Sequence, residues 1–198
     1  ASFAARAKDM AELARIYAQL KQAPVSVRDQ SDYLLGQLAE MGGKRKQALA
    51  WYAKVDLDDD HRFDADLRSA VLLQQQGSTQ QAHARVQELQ TEYADQPPML
   101  RRALQVEAEL YMQEANYTQA AVVYSKALQE AADDNELLYG RGLAYAEGGD
   151  VDAAVTDLKH LLELKPNDID AANALGYTLA DNNRDLDEAR GLIEQARK

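Results

Sequence analysis

Asn135 to Pro166 reads NELLYGRGLAYAEGGDVDAAVTDLKHLLELKP, and this stretch decides the fold. Apolar and small residues recur at helical spacing in its first half, Gly148 and Gly149 interrupt the pattern, and a second amphipathic segment follows. Pro166 cannot continue a helix interior, so it ends the second segment. The stretch therefore predicts a helical hairpin that another hairpin can follow directly.

Residues of the same size return at nearly constant intervals along the chain. One series of small residues, with gaps of 34, 38, 34 and 34, consists of Gly36, Ala70, Ala108, Gly142 and Gly176. A second series, with gaps of 34, 38, 34 and 35, consists of Ala48, Ala82, Ala120, Ala154 and Ala189. Small residues let paired helices approach closely, and large residues three positions further on fill the layer between them. We therefore expect an all-α array of hairpins.

This pattern resembles the tetratricopeptide repeat (TPR) family, whose unit is a 34-residue helix-turn-helix. The clearest matches are the Leu35-Gly36 and Leu175-Gly176 pairs, Gly142 with Tyr145, and Pro166. The resemblance implies a right-handed superhelical solenoid of TPR hairpins. The chain departs from the family at the tryptophan position, which is occupied by Asp32, Asp66, Leu104, Leu138 and Ala172.

The repeat register predicts the domain organisation. An N-terminal helix, either a half repeat or a cap, occupies residues 1–28, and the hairpins follow at 29–62, 63–100 with an insertion, 101–134, 135–168 and 169–198. Terminal repeats normally carry an adapted polar outer face, and no such helix is visible at the end of this sequence. We therefore expect the array to be part of a longer one.

Composition and charge exclude several classes of function. The net charge of −11 opposes the phosphate backbone, so we expect no nucleic-acid partner. The absence of cysteine excludes disulfides and thiol chemistry. No run approaches the roughly eighteen apolar residues of a spanning helix, so we expect no transmembrane segment here.

Catalytic and metal-binding patterns are also absent from the sequence. The three histidines, His61, His83 and His160, fall in different repeats, without an HExxH pair or a Gly-rich phosphate loop. The acidic link at residues 56–61 resembles a calcium loop but lacks its glycine, and Leu67 stands where an EF-hand has glutamate. We expect no enzyme activity, no catalytic residue, no cofactor and no metal.

A binding surface is predicted from helix geometry instead. Residues one, four, eight and eleven positions after each repeat start share one face of the first helix, and in this family the first helices line the concave surface. The predicted partner-binding groove consists of Tyr33, Gln37, Leu67, Val71, Arg102, Gln105, Glu109, Met112, Tyr139, Leu143, Asn173 and Tyr177. Acids such as Glu136 share this face. An extended peptide or a partner helix would fit it, unless several of these residues pack between neighbouring first helices.

One binding mode of the family is not expected. TPR proteins that bind chaperone tails hold the terminal carboxylate with a lysine and asparagine clamp. The position of the clamp lysine is occupied here by Tyr33, Leu67, Gln105, Tyr139 or Asn173. We therefore predict no binding of chaperone C-terminal peptides.

A narrower resemblance concerns the segments at residues 33–55 and 174–196. They are similar to long bacterial outer-membrane TPR lipoproteins, some of which act as adaptors for a periplasmic carboxyl-terminal processing protease that degrades cell-wall hydrolases. This resemblance implies a protein-binding scaffold whose partners are such a protease and its hydrolase substrates. It also implies a periplasmic location, with membrane anchoring through a lipidated segment upstream of this chain. The alternatives are a self-assembly module or a cytoplasmic regulatory domain of a larger protein.

Overall fold

The computed structural model describes residues 3–24 and 31–196, and these residues form helices and turns without a β-strand. The helices are α1 (Phe3–Lys21), α2 (Asp32–Met41), α3 (Arg45–Tyr52), α4 (Arg62–Gln75), α5 (Thr79–Glu92), α6 (Pro97–Gln113), α7 (Tyr117–Leu128), α8 (Asn135–Gly148), α9 (Val151–Leu164), α10 (Ile169–Asp181) and α11 (Leu186–Ala196). The prediction of an all-α fold is confirmed. The predicted boundary between residues 28 and 29 lies outside the described residues.

The chain divides into two compact units, Ala1–Leu89 and Gln90–Lys198. In the first unit α1 packs on α2, α2 on α3 and α3 on α4. In the second unit each helix from α6 to α11 packs on the next helix in the chain. Each unit has its own buried cluster, centred on residues such as Tyr52 in the first and Tyr124 in the second. Helix pairing between sequence neighbours therefore builds both units.

Small residues allow the paired helices to approach closely. A methyl group added at Gly142 of α8 would lie 3.0 Å from Cγ of Leu158 on α9. One added at Gly176 of α10 would lie 2.8 Å from Cγ1 of Ile193 on α11. These distances leave little or no room for a side chain, which is the physical reason for the first series of small residues.

The turn after α8 shows how a hairpin reverses direction. Gly149 has a φ of 84°, a conformation that side-chain-bearing residues rarely adopt. The next helix begins at once, because the Asp150 carboxylate accepts a 3.2 Å hydrogen bond from the backbone N–H of Ala153. Asp134 and Asp168 cap α8 and α10 in the same way. Aspartate therefore marks the start of three consecutive helices.

Two hairpins contain buried ion pairs of opposite polarity. In the α4–α5 hairpin, Asp66 on the first helix accepts a 2.8 Å hydrogen bond from Arg62 and pairs with Arg85 on the second helix. In the α8–α9 hairpin, Arg141 on the first helix donates hydrogen bonds of 2.7 and 2.8 Å to Asp157 on the second. Arg85 and Asp157 occupy the same position of the repeat, immediately before the large residues Val86 and Leu158.

The α1 helix is tied to the first hairpin by a hydrogen-bonded chain of side chains. Trp51 Nε1–H donates to the Tyr17 hydroxyl at 3.0 Å, and that hydroxyl donates to Gln47 Oε1 at 2.9 Å. Within residues 3–24 and 31–196, no helix combines the length and the apolar composition needed to cross a membrane.

Candidate partner-binding cavity

Five of the predicted groove residues line a single cavity of about 490 Å³ in the second unit. We call it the α6–α8 cavity, because α6 and α8 supply most of its wall and α7 its floor. Its lining consists of Gln105, Glu109, Met112 and Gln113 from α6, Tyr124 from α7, and Glu136, Tyr139, Gly140 and Leu143 from α8. The first helices of two consecutive hairpins therefore bring together residues that are 30 or more positions apart in the sequence.

One side of the α6–α8 cavity is apolar. Met112, Tyr139 and Leu143 are half-buried, so each presents part of its side chain to the cavity. Met112 and Tyr139 also pack against the buried cluster of this unit, which holds them in place. Half-buried apolar side chains on a rigid support are suited to contact an apolar side chain of a partner.

The floor of the cavity is formed by Tyr124, whose side chain reaches α8 at Gly140. A methyl group at Gly140 would lie 2.5 Å from Cζ and 2.7 Å from the hydroxyl oxygen of Tyr124. Glycine at position 140 is therefore required to accommodate the Tyr124 ring. Tyr124 is only 4% exposed, and its hydroxyl has no hydrogen-bond partner among the described residues.

The other side of the cavity is polar and negatively charged. The Gln105 side-chain amide donates to Glu109 Oε1 at 3.2 Å and to Glu136 Oε2 at 3.4 Å, so it holds the two carboxylates on either side of itself. Burial raises the pKa of Glu109, the hydrogen bond from Gln105 lowers it, and the negative charge of Glu136 raises it further, with a net increase. Burial, together with the charge of Glu109, also raises the pKa of the Tyr124 hydroxyl. The site therefore keeps a carboxylate in an environment that disfavours its charge.

The corresponding residues of the first unit are arranged differently. Tyr33, Gln37 and Val71 are half-buried, and the Tyr33 ring packs edge-on against His61 with 4.6 Å between the ring centres. Leu67 departs from the prediction, because its side chain is 5% exposed and belongs to the interior, so it is not available to anchor a partner.

A charged residue on the same face of the first unit is already neutralised within the chain. Glu40 accepts hydrogen bonds from the Tyr52 hydroxyl at 2.8 Å and from Arg68 at 2.7 and 2.5 Å. The three side chains connect α2, α3 and α4. Glu40 therefore has a structural role.

Three further predicted residues lie outside the α6–α8 cavity. Arg102 is exposed on α6, and Asn173 and Tyr177 are exposed on α10. Tyr177 is 51% exposed, which makes it one of the most exposed aromatic side chains of the described chain. These residues stay candidates for contact with a partner, but the cavity does not include them.

Sequence reasoning missed Tyr124, Gly140 and Gln113 as lining residues. Tyr124 belongs to a second helix, and the prediction considered only first helices. A usable signal was present at Gly140, because a glycine in the middle of an amphipathic helix usually has a packing reason. Only the structure shows that this reason is the tyrosine of the preceding helix.

A second cavity, of about 380 Å³, lies between α7 and the end of α8. Its lining includes Ala121, Val122, Ala144 and Tyr145, none of which belongs to the predicted partner-binding groove. Val122 is 46% exposed there. This cavity provides a comparison site in the same unit.

The acidic link before α4 is organised as a turn. The Asp59 carboxylate accepts a 2.7 Å hydrogen bond from the backbone N–H of His61, which is a local capping contact. In the part of the chain that the structure describes, no group of three or more histidine, aspartate or glutamate residues is arranged to hold a metal ion.

Comparison with known proteins identifies the repeats. The tetratricopeptide repeat model matches residues 106–169 and 139–198. The TPR repeat-containing protein PA4667 of Pseudomonas aeruginosa is 31% identical over 170 residues, which are 86% of this chain. The chain spans 28% of the length of that relative.

Solved structures of MamA share the fold. MamA from Desulfovibrio magneticus RS-1 is 15% identical, with a TM-score of 0.69 over 85% of this chain and 93% of the MamA chain. MamA from AMB-1 is 19% identical, with a TM-score of 0.65 over 84% of this chain and 95% of the other. The helical hairpins, the family model and these matches together show that this chain is built of tetratricopeptide repeats.

Proposed function

We propose that this chain is a non-catalytic scaffold that binds a protein partner in the α6–α8 cavity. The observation that carries the proposal is the cavity itself, in which the first helices of two consecutive repeats bring apolar and polar side chains together. TPR proteins generally mediate protein–protein interaction. An extended peptide or a single helix is narrow enough to enter such a site, and the half-buried Met112 and Leu143 would contact its apolar side chains.

We further propose that the partner is a periplasmic carboxyl-terminal processing protease, one of its cell-wall hydrolase substrates, or both. Support comes from the similarity of residues 33–55 and 174–196 to bacterial TPR lipoproteins, some of which act as adaptors for such a protease. An adaptor of this kind brings protease and substrate together, which raises their effective concentration without chemistry of its own.

The proposed location is the periplasm. In the full-length protein, a lipidated segment upstream of this chain would provide the attachment to the outer membrane. Fractionation of cells that express the full-length protein tests this, because recovery in the cytoplasmic fraction would favour a regulatory domain of a cytoplasmic protein.

Affinity capture from a periplasmic extract tests the proposed partners. The wild-type chain is compared with a cavity variant, Met112→Ala with Leu143→Ala, and with a matched control, Leu164→Ala, which removes an exposed leucine of the same unit outside the cavity. Circular dichroism establishes that all three are folded. We expect mass spectrometry to identify a processing protease or a cell-wall hydrolase with the wild type and the control, and its loss with the cavity variant.

Two outcomes would contradict the proposal. If the cavity variant captures the same proteins as the wild type, the cavity does not carry the interaction, and a Val122→Asp variant then tests the second cavity. If no protein is captured and the chain self-associates in solution, the alternative of a self-assembly module replaces the proposal.

A further inference from the structure

The α6–α8 cavity contains two carboxylates that no cation of the described residues neutralises. Neither Glu109 nor Glu136 forms an ion pair with a lysine or arginine in the described residues, and their hydrogen bonds come from the neutral amide of Gln105. The first unit provides the contrast, because Glu40 there is neutralised by Arg68. Glu109 is half-buried, and a partly buried carboxylate without a cation is costly, so proteins usually pair it.

A third polar group of the cavity also lacks a partner within the described chain. The Tyr124 hydroxyl lies at the floor of the cavity beside Gly140, in a side chain that is 4% exposed. It makes no hydrogen bond to any residue that the structure describes. The hydroxyl is therefore open to the cavity, and it is available to pair with a polar group of a partner that enters it.

We propose that the α6–α8 cavity selects a partner segment by a cationic side chain, lysine or arginine, that binds Glu109 and Glu136 beside the Gln105 amide and donates to the Tyr124 hydroxyl. This inference rests on the proposed function and defines the chemistry of the segment that it binds. An ammonium group has three donors, and two carboxylates with one hydroxyl provide three acceptors. A guanidinium group has five donors and can satisfy the same acceptors.

The apolar side of the cavity defines the rest of the segment. Met112, Tyr139 and Leu143 line the same cavity as the acids but carry no charge. The preferred segment therefore has an apolar residue close to the lysine or arginine. An acidic segment is excluded, because its carboxylates would be placed next to Glu109 and Glu136.

Selection of a random dodecapeptide library displayed on phage tests this inference. The library is selected against the immobilised wild-type chain, and peptides that also bind the Met112→Ala, Leu143→Ala variant are removed. We expect the remaining peptides to share a lysine or arginine next to an apolar residue. The strongest of them is synthesised with a fluorescent label, and its dissociation constant is measured by anisotropy.

Four single variants then locate the cationic contact. We expect Glu109→Gln and Glu136→Gln to weaken binding about tenfold each, which equals about 1.4 kcal/mol. Tyr124→Phe should weaken it about threefold, since only one hydrogen bond is lost. The control Glu130→Gln removes one negative charge outside the cavity and should change the affinity by less than about twofold.

The outcomes separate this inference from the proposed function. If cavity-dependent peptides are enriched but lack lysine and arginine, the cationic contact is wrong while the peptide-binding function stands. If Glu130→Gln weakens binding as much as Glu109→Gln, the attraction is a property of the whole acidic chain, and the cavity does not select the charge. If no cavity-dependent peptide is enriched, both the inference and the proposed function fail.

Discussion

Removal of two tyrosine hydroxyls at the same position of the repeat should have unequal effects on stability. Tyr52 on α3 and Tyr124 on α7 both lie in the interior, and each fills the space beside a glycine of a first helix. Only the Tyr52 hydroxyl has a partner, since it donates a 2.8 Å hydrogen bond to Glu40. The variants Tyr52→Phe and Tyr124→Phe therefore remove the same hydroxyl, in the first case one that makes a hydrogen bond and in the second case one that does not.

The expected magnitudes follow from these contacts. A hydrogen bond to a charged group contributes about 1.5–3 kcal/mol, and Arg68 still holds Glu40 after Tyr52→Phe, so we expect a loss near the lower end, about 1.5 kcal/mol. For Tyr124→Phe we expect a change of less than about 0.5 kcal/mol, because the hydroxyl that is removed opens to the cavity and makes no hydrogen bond within the described chain.

Amide hydrogen exchange is the suitable measurement, because it reports local opening in each unit. Exchange should accelerate in α2 and α3 of Tyr52→Phe by roughly tenfold, which corresponds to about 1.4 kcal/mol. Exchange in α7 and α8 of Tyr124→Phe should be nearly unchanged. Urea unfolding followed by the fluorescence of Trp51, the neighbour of Tyr52, provides a second reading of the first unit. Equal losses in the two variants would show that the Tyr124 hydroxyl has a structural partner, and the reasoning about its role would be wrong.

Three further predictions concern packing and charge. Gly36→Ala should destabilise the first unit by about 1–2 kcal/mol in the same urea titration, because overpacking against the Tyr52 ring exceeds the gain in helix propensity. Gly191→Ala has open space around it and should stabilise the second unit by about 0.5–1 kcal/mol, measured by urea unfolding followed by circular dichroism. Arg141→Met should cost about 3 kcal/mol, because Asp157, with a side chain only 7% exposed, loses its partner; if calorimetry finds no loss, the ion pair is not structural. Glu109→Gln should stabilise the second unit at neutral pH, and this gain in stability over the wild type should disappear in acid. The pKa of Glu109 is raised in the folded state, so the folded state favours the protonated carboxyl. The stability that this carboxyl contributes in the wild type is therefore lost as the pH rises through its folded pKa. A constant difference from pH 4 to pH 8 in thermal melts would contradict that account.

The repeat architecture could be predicted from the sequence because its signals are periodic. Two series of small residues share one interval, and the structure shows that Gly142 and Gly176 are positions of close helix contact. A pattern of this kind survives substitution at single positions, since the remaining positions still set the register. The Gly149 turn and the Asp168 cap depend on the local backbone alone, so they too are visible in the sequence.

Contacts that depend on a specific partner could not be predicted. Asp66 stands at the tryptophan position of the family, where the sequence departs from the family pattern. The structure shows that Asp66 is buried like its equivalents and is satisfied by Arg62 and Arg85. The sequence places Arg85 on the next helix but does not show that its side chain contacts Asp66. A charged residue can replace a large apolar one only where such partners exist, and no local pattern reveals them.

The candidate site could be predicted in part for the same reason. Helix periodicity correctly grouped Gln105, Glu109 and Met112 on one face, because that grouping depends on backbone geometry alone. The same rule failed to anticipate the burial of Leu67, since exposure depends on how closely the next helix packs. The floor of the cavity required the contact between Gly140 and a tyrosine of the preceding hairpin.

The buried ion pairs of the α4–α5 and α8–α9 hairpins have their acid and base on opposite helices. This arrangement disfavours the pairing of a helix with the wrong hairpin during folding. Arrays of similar repeats are prone to pairing a helix with the wrong partner during folding. If α5 took the place of α9 against α8, Arg85 would meet Arg141, and two cations would be enclosed without a carboxylate between them. If α9 packed on α4, Asp157 would meet Asp66. Each hairpin therefore accepts its own second helix and rejects that of the other.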